Sequence, residues 1–279
     1  MRTEFQLAGG PIAALDNRDQ LAGSTVASRP VALLVPGYTG SKEDFLPLLR
    51  PLADAGFRAV AIDQRGQYES GWAGDPAGYT IEALAGEVCE LAAELAPDGA
   101  ALHLLGHSFG GLVSRAAVLA KADLFDSFTL MGSGPAELAG RRRAMLDAGE
   151  SVLAQHGMAG LWRQLEAGAQ ADPKYRQSPP ALLAFLRARF MANDPVGLRV
   201  MGETLQTVQD RTANLAAARL PMLVLHGESD DAWLPALQAD MARRLGARHT
   251  VIGGSSHSPA VENPPQTVRA LLDFWQSLS

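Results

Sequence analysis

One cysteine, Cys89, stands in 279 residues, which excludes an internal disulfide framework and a cysteine-rich zinc site. Basic charge is short: 24 Lys and Arg against 30 Asp and Glu give a net charge of −6, the reverse of the surplus that nucleic-acid binders carry. Long apolar runs are missing. Stretches such as 31–36 are far too short to cross a bilayer, and the start, MRTEFQLAGG, has none of the apolar length of a secretory signal. No repeat period or low-complexity tract is visible, so a solenoid is excluded. The expectation is a soluble, cytoplasmic protein with no nucleic-acid or membrane partner. Its length suits one domain, or one domain with an insertion.

What the chain does have is a rhythm. Short apolar runs at 31–35, 58–62, 101–105, 127–131, 222–226 and 249–252 each end in a turn. Unbroken runs of this length suit parallel strands buried on both faces. Helical patterns lie between them, at 42–55, 81–95, 109–121, 235–245 and 264–278. Strand alternating with helix predicts an α/β fold in which helices cover a parallel sheet. Segments 3–7 and 12–15, joined by Gly9-Gly10-Pro11, read as a hairpin at the sheet edge.

One stretch breaks the rhythm. Residues 134–214 show helical pattern and no strand, and hold ten Lys or Arg and eight Asp or Glu, a local charge of +2 that leaves −8 on the remainder. The charge contrast, and a length beyond what a crossover needs, predict an inserted helical cap over 134–214. The core then comprises 1–133 and 215–279. Pro173, Pro179-Pro180 and Pro195 are expected to break the cap into several helices.

Gly106-His107-Ser108-Phe109-Gly110 fits G-x-S-x-G, and it follows the apolar run 101–105 and opens the helical pattern FGGLVSRAAVLA. Such a strand–elbow–helix lifts a serine hydroxyl clear of the sheet, with small neighbours where the backbone crosses itself. A nucleophilic serine needs a base, and the base an orienting acid; in this arrangement the chain order is Ser, acid, His. Of six histidines, His257 alone lies in a small-residue loop directly after the last strand, at the carboxyl edge where sites form in such sheets. The acid is expected just past 222–226, where Glu228, Asp230 and Asp231 are all available. Two amides would serve an oxyanion: that of Phe109, following the serine, and that of Tyr38, in the loop Pro36-Gly37-Tyr38-Thr39-Gly40-Ser41. Ser41 and Asp44 also have the spacing of a helix cap. Tyr38, His107, Trp162 and Trp233 are the candidate pocket residues. Apolar residues of the insert, among them Leu138, Met145, Leu146, Leu153, Leu161, Met191, Val200 and Met201, either cover the site or build the insert's own core and its seam. Arg141-Arg142-Arg143 reads as a solvated helix face, and Cys89 as a buried spacer on a sheet-covering helix.

Together these motifs resemble the α/β-hydrolase superfamily. The resemblance spans essentially the whole chain and rests on Pro36-Gly37-Tyr38-Thr39-Gly40, Asp63-Gln64-Arg65-Gly66, the Ser108 elbow, His226-Gly227-Glu228-Ser229-Asp230 and Ser256-His257. Two positions depart from the family pattern: Pro36 replaces a usual His, and Tyr68 stands where Gly is usual, as a possible pocket wall. The resemblance implies a mostly parallel sheet of about eight strands with an inserted helical cap. It also implies Asp230 as the acid, because the family's loop reads His-Gly-x-x-Asp. The activity it implies is that of a serine hydrolase of carboxylic esters, lactones or thioesters. Carbon–carbon hydrolysis, acyl transfer and release of N-terminal residues use the same triad, and a silent small-ligand receptor is the alternative from another class. Halide and epoxide chemistry in this fold needs an acidic nucleophile, which Ser108 is not. No metal and no organic cofactor is required, and the partner is a small, partly apolar ester-like substrate.

Overall fold

All five residues of Val31–Val35 are buried, and their side chains alternate between two cores. Val31, Leu33 and Val35 join one apolar cluster, and Ala32 and Leu34 the other. A strand with no polar face must lie inside a sheet covered on both sides. A computed structural model, which describes residues 1–21, 29–96 and 99–278, shows that sheet. Its eight strands are β1 (Arg2–Leu7), β2 (Gly10–Asp16), β3 (Val31–Val35), β4 (Arg58–Ile62), β5 (Leu102–His107), β6 (Ser127–Met131), β7 (Met222–Gly227) and β8 (Arg248–Ile252). Their spatial order is β1-β2-β4-β3-β5-β6-β7-β8. The β1–β2 hairpin sits at the edge and meets β4 antiparallel; every other pairing is parallel.

Helices cover both faces. On one side α2 (Ile81–Leu95) and α3 (Phe109–Ala120) seal the larger core with Leu84, Val88, Leu91, Leu112 and Val113. Cys89 is buried there as a plain packing residue, its thiol 3.6 Å from the Ala117 carbonyl. On the other side α1 (Leu46–Asp54) and α11 (Pro264–Trp275) bring Leu48, Leu52, Leu271 and Trp275 to the smaller core. The helical pattern expected at 42–55 starts with a 3₁₀ turn at Lys42–Phe45. Pro47 has no amide to give the Glu43 carbonyl, so the α-helical ladder begins only at Leu46. Ser41 and Asp44 cap that turn, the Ser41 amide donating to Asp44 Oδ2 at 3.3 Å.

Between β6 and β7 the chain forms α4 (Gly140–Ala169), α5 (Pro173–Arg176), α6 (Pro180–Met191), α7 (Pro195–Thr207) and α8 (Thr212–Ala217), with no strand among the described residues. The prolines expected to break this segment into several helices stand at the helix starts. Pro173, Pro180 and Pro195 are each the first helical residue, where a missing amide costs nothing. The break inside α4 falls at Gly157, whose φ of 61° only glycine adopts readily. Val200 and Met201 pack into the main core, as seam rather than lid. Charged ties fasten the segment to the sheet-bearing part: Arg142 to Asp231, Arg189 to Asp44, and the Tyr79 hydroxyl to Asp194.

His103 of β5 is buried, stacked on Trp275 at 5.2 Å and hydrogen-bonded to Ser127 Oγ at 2.8 Å. Burial pushes its ring down to about 4, and burial does the same to His107, also to about 4. The unfolded chain takes up these protons below about pH 6.5 while the native state refuses them. Stability therefore falls as pH drops from 6.5 towards 4, by about 2 kcal/mol per histidine at pH 5. Ring proton signals of both residues should keep their neutral shifts between pH 8 and 5 while Tm declines. A ring that titrates near 6.5 would contradict this.

Candidate active site

Ser108 sits between β5 and α3 with φ of 54° and ψ of −120°, a left-handed turn forced by the tight passage from strand to helix. The passage is tight because backbones nearly touch. A Cβ on Gly106 would stand 2.4 Å from the Gly110 carbonyl oxygen, and one on Gly110 would stand 2.4 Å from both the Val35 and Pro36 oxygens. Only glycine fits at either position. The elbow is tied down by its backbone: the Ser108 amide donates to Met131 O at 2.9 Å, and Ser133 Oγ donates to Ser108 O at 2.9 Å.

Three residues from distant parts of the sequence meet in one hydrogen-bonded line. His257 Nε2 lies 2.9 Å from Ser108 Oγ, and its Nδ1 lies 2.9 Å from Asp230 Oδ1. Asp230, just beyond β7, is 2 % exposed. Burial alone would raise its pKa, but His257, the Ala232 amide at 2.9 Å and Gln238 Nε2 at 2.9 Å together hold it below the usual carboxylate value. A buried acceptor-only carboxylate gives His257 one stable orientation, with the proton on Nδ1 and the lone pair of Nε2 facing the serine. The other two acid candidates are elsewhere. Asp231 is exposed and forms a two-point ion pair with Arg142 at 2.6 and 3.0 Å, and Glu228 accepts from the Gly254 amide at 3.1 Å.

The loop after β3 passes close to the serine: a Cβ on Gly37 would stand 3.2 Å from Ser108 Cβ. Its carbonyls are held from behind. Gln64 Nε2 donates to Pro36 O at 2.9 Å, and Gln67 Nε2 donates to Gly37 O at 2.8 Å and Tyr38 O at 3.1 Å. Phe109, the first residue of α3, has an amide with no carbonyl one turn back to bind. The Gln67 clamp yields a prediction. Gln67→Met keeps the bulk and loses both donations, so kcat falls about ten- to a hundredfold with KM little changed. Steady-state kinetics on one ester would measure it, and an unchanged kcat would show that the loop needs no clamp.

The candidate pocket residues divide. The Tyr38 ring packs edge-on against Phe109 at 6.5 Å, its hydroxyl donates to Leu198 O at 2.7 Å, and it lines a cavity of about 180 Å³ under the helical segment. Leu138, Met145, Leu146, Leu153 and Leu161 line the same cavity, as do Leu165, Phe190 and Leu198, which the sequence did not single out. Trp162 faces a neighbouring cavity. His107 and Trp233 line neither. His107 Nε2 donates to the His257 carbonyl at 2.8 Å, so it holds the histidine loop. Trp233 is 2 % exposed, with its indole donating to Ala136 O at 3.0 Å and its ring 6.4 Å from that of His257. Tyr68 lies over Lys42 Nζ and against Phe185, away from both cavities. Gln64 and Gln67 escaped the sequence reading as supports because they act on carbonyls 28 to 30 positions away, and Gln238 because its reach to Asp230, eight positions back, depends on how its helix packs. Among the described residues no cluster of three His, Cys, Asp or Glu stands ready for a metal ion, and no helix is long and apolar enough to cross a membrane.

Known proteins place this architecture. The chain is 33 % identical over 115 residues to a provisionally named carbamate hydrolase, RutD, of Agrobacterium fabrum, a match over 41 % of this chain and 42 % of that protein. It spans less than half the length of the carbamate hydrolase relatives it matches. It is 26 % identical over 242 residues to a pimeloyl-[acyl-carrier protein] methyl ester esterase of Photobacterium profundum, covering 83 % of this chain and 88 % of that one. The crystal structure of an enol-lactonase from Burkholderia xenovorans superposes with a TM-score of 0.79 at 22 % identity, over 98 % of this chain and 100 % of the other, a likeness of fold. The sequence profile of the alpha/beta hydrolase family matches residues 32–271, from β3 to α11 and so across elbow, acid and histidine, and the chain belongs to that family.

Proposed function

We propose that this protein hydrolyses a carboxylic ester through an acyl-enzyme on Ser108. The observation that carries the reading is the line Ser108 Oγ–His257 Nε2 and His257 Nδ1–Asp230 Oδ1, both at 2.9 Å. His257 takes the hydroxyl proton as Ser108 Oγ attacks the ester carbonyl. Asp230 accepts from Nδ1 and stabilises the imidazolium. The amides of Tyr38 and Phe109 receive the oxyanion. His257 then gives its proton to the leaving alkoxide, and water enters by the same route to release the acid.

The helical segment 134–214 acts as a cap over this site. Its cavity, lined by leucines and Phe190 alongside Arg142, Glu150, Arg199, Glu203 and Gln206 and bordered by Tyr38, suits an acyl chain that is apolar over part of its length. The substrate is thus a small, partly apolar ester, with lactones and thioesters within the same chemistry. A panel of p-nitrophenyl esters, thioesters and lactones tests the proposal. A burst of p-nitrophenol equal to the enzyme concentration is expected, followed by slower turnover. Ligand binding without turnover on any of them would make the protein a receptor instead.

A further inference from the structure

Asp230 has two carboxylate oxygens, and the site uses them differently. Oδ1 accepts from His257 Nδ1 and from the Ala232 amide, both at 2.9 Å. Oδ2 accepts from Gln238 Nε2, also at 2.9 Å, and from no other donor among the described residues. Gln238 is the fourth residue of the helix Pro235–Leu245 and is fully buried. Helical side chains lean towards the start of their helix, so this one reaches back over the loop that carries Trp233 and Asp230. Its amide can be turned only one way. Nε2 also donates to Trp233 O at 2.6 Å, so both of its neighbours are acceptors, and the opposite orientation would set an oxygen against two others. The cost is visible: Oε1 is buried with no partner among the described residues. Folded proteins keep few such acceptors, and here one accompanies a donor aimed at the acid.

Donors on a carboxylate share its negative charge. Each one leaves the oxygen facing His257 a weaker partner for the imidazolium. The other titratable and charged groups around this pair are engaged elsewhere. The His107 ring lies 5.1 Å from that of His257, and burial keeps it neutral. Asp231 pairs with Arg142, and Asp44 with Arg189. A change confined to the Gln238 amide therefore alters the acid and leaves those charges in place.

We propose that Gln238 is a positioning residue for the reaction: by holding Oδ2 it fixes the plane of the Asp230 carboxylate and limits how strongly Asp230 draws the Nδ1 proton of His257, and so helps to set the pH at which the base becomes free. The inference rests on the reading of Ser108, His257 and Asp230 as one catalytic line. Gln238 touches neither the serine nor the histidine in the hydrogen-bonded line and acts only through the acid.

Gln238→Met keeps the length and removes the donor. The acid limb of kcat/KM against pH, read on one p-nitrophenyl ester, then moves up by about half a pH unit or more, because the freer carboxylate holds the imidazolium to higher pH. On the plateau kcat falls about three- to tenfold with KM little changed. Met241→Ala, in the same helix and also buried, loosens the packing without touching Asp230; it lowers Tm and leaves the limb where it was. If Gln238→Met does not fold, Gln238→Asn, one methylene shorter, withdraws the same NH₂ and is read in the same way. A limb that stays in place in the folded variant, or moves down, overturns the proposal, as does an equal shift in Met241→Ala. If no ester turns over, the reading of Ser108 as an ester nucleophile has failed by itself, and ring NMR still decides the role of Gln238. The His257 Cε1–H signal, assigned by its loss in His257→Ala, titrates at higher pH in Gln238→Met than in the native protein if the amide acts as proposed. Titration at the same pH in both sinks it.

Discussion

Ser108→Ala abolishes the p-nitrophenol burst and lowers kcat by about 10⁴-fold or more, with the thermal unfolding curve little changed. The size of the loss follows from how much of the site serves one oxygen atom. The crossing at Gly106 and Gly110, the left-handed backbone at Ser108 and the ties to Met131 and Ser133 all present Oγ to His257 Nε2. None of those supports depends on the hydroxyl, so alanine leaves the elbow built and removes only the nucleophile. Mass spectrometry of a slowly turned-over ester gives an independent reading, with an acyl adduct on the peptide that carries Ser108 and none in the variant. A variant that keeps most of its rate would move the chemistry to another group.

Asp230→Asn is expected to cost about 10³- to 10⁴-fold in kcat, and Asp231→Asn less than about threefold. The asymmetry between neighbours is one of geometry. Asp230 accepts from His257, the Ala232 amide and Gln238, all in the interior. An asparagine there can turn its NH₂ towards Nδ1, which then has to accept, so the proton moves to Nε2 and faces the serine when it should be absent. Asp231 loses one ion pair with Arg142 between half-exposed side chains, and such pairs contribute little. Kinetics on both variants decides the matter. Equal losses, or the greater loss at Asp231, would transfer the acid by one residue.

The parts of this molecule that were legible in sequence are those whose pattern is local. The run 31–35 announces a buried strand because every residue is apolar, and the serine elbow announces itself because its glycines sit within two residues of Ser108. The strand-free helical stretch between β6 and β7 was legible through the loss of strand pattern from 134 onwards. Asp230 was separable from Asp231 only by family spacing, since burial of one and exposure of the other depends on α9 (Pro235–Leu245), which delivers Gln238. His107 and Trp233 were legible as large residues near the site, but not as struts. Their partners are the His257 carbonyl and the Ala136 carbonyl, 150 and 97 positions away. Backbone carbonyls carry no sequence signal, so residues that hold them look like any other Gln, His or Trp.

The sheet also sets an order of assembly. From β5 to β8 the strands lie side by side in the order in which they are made, and each adds one part of the site: the serine after β5, the acid after β7 and the histidine after β8. The contact between Ser108 and His257 spans 149 positions. Such distant pairings form late, because the loop they close must be ordered before the contact repays it. A chain emerging from the ribosome therefore holds Ser108 and the residues of the cavity before His257, its proposed base, is made. In that interval the proposed nucleophile has no imidazole to take its proton, and the unfinished chain is expected to be inert towards esters.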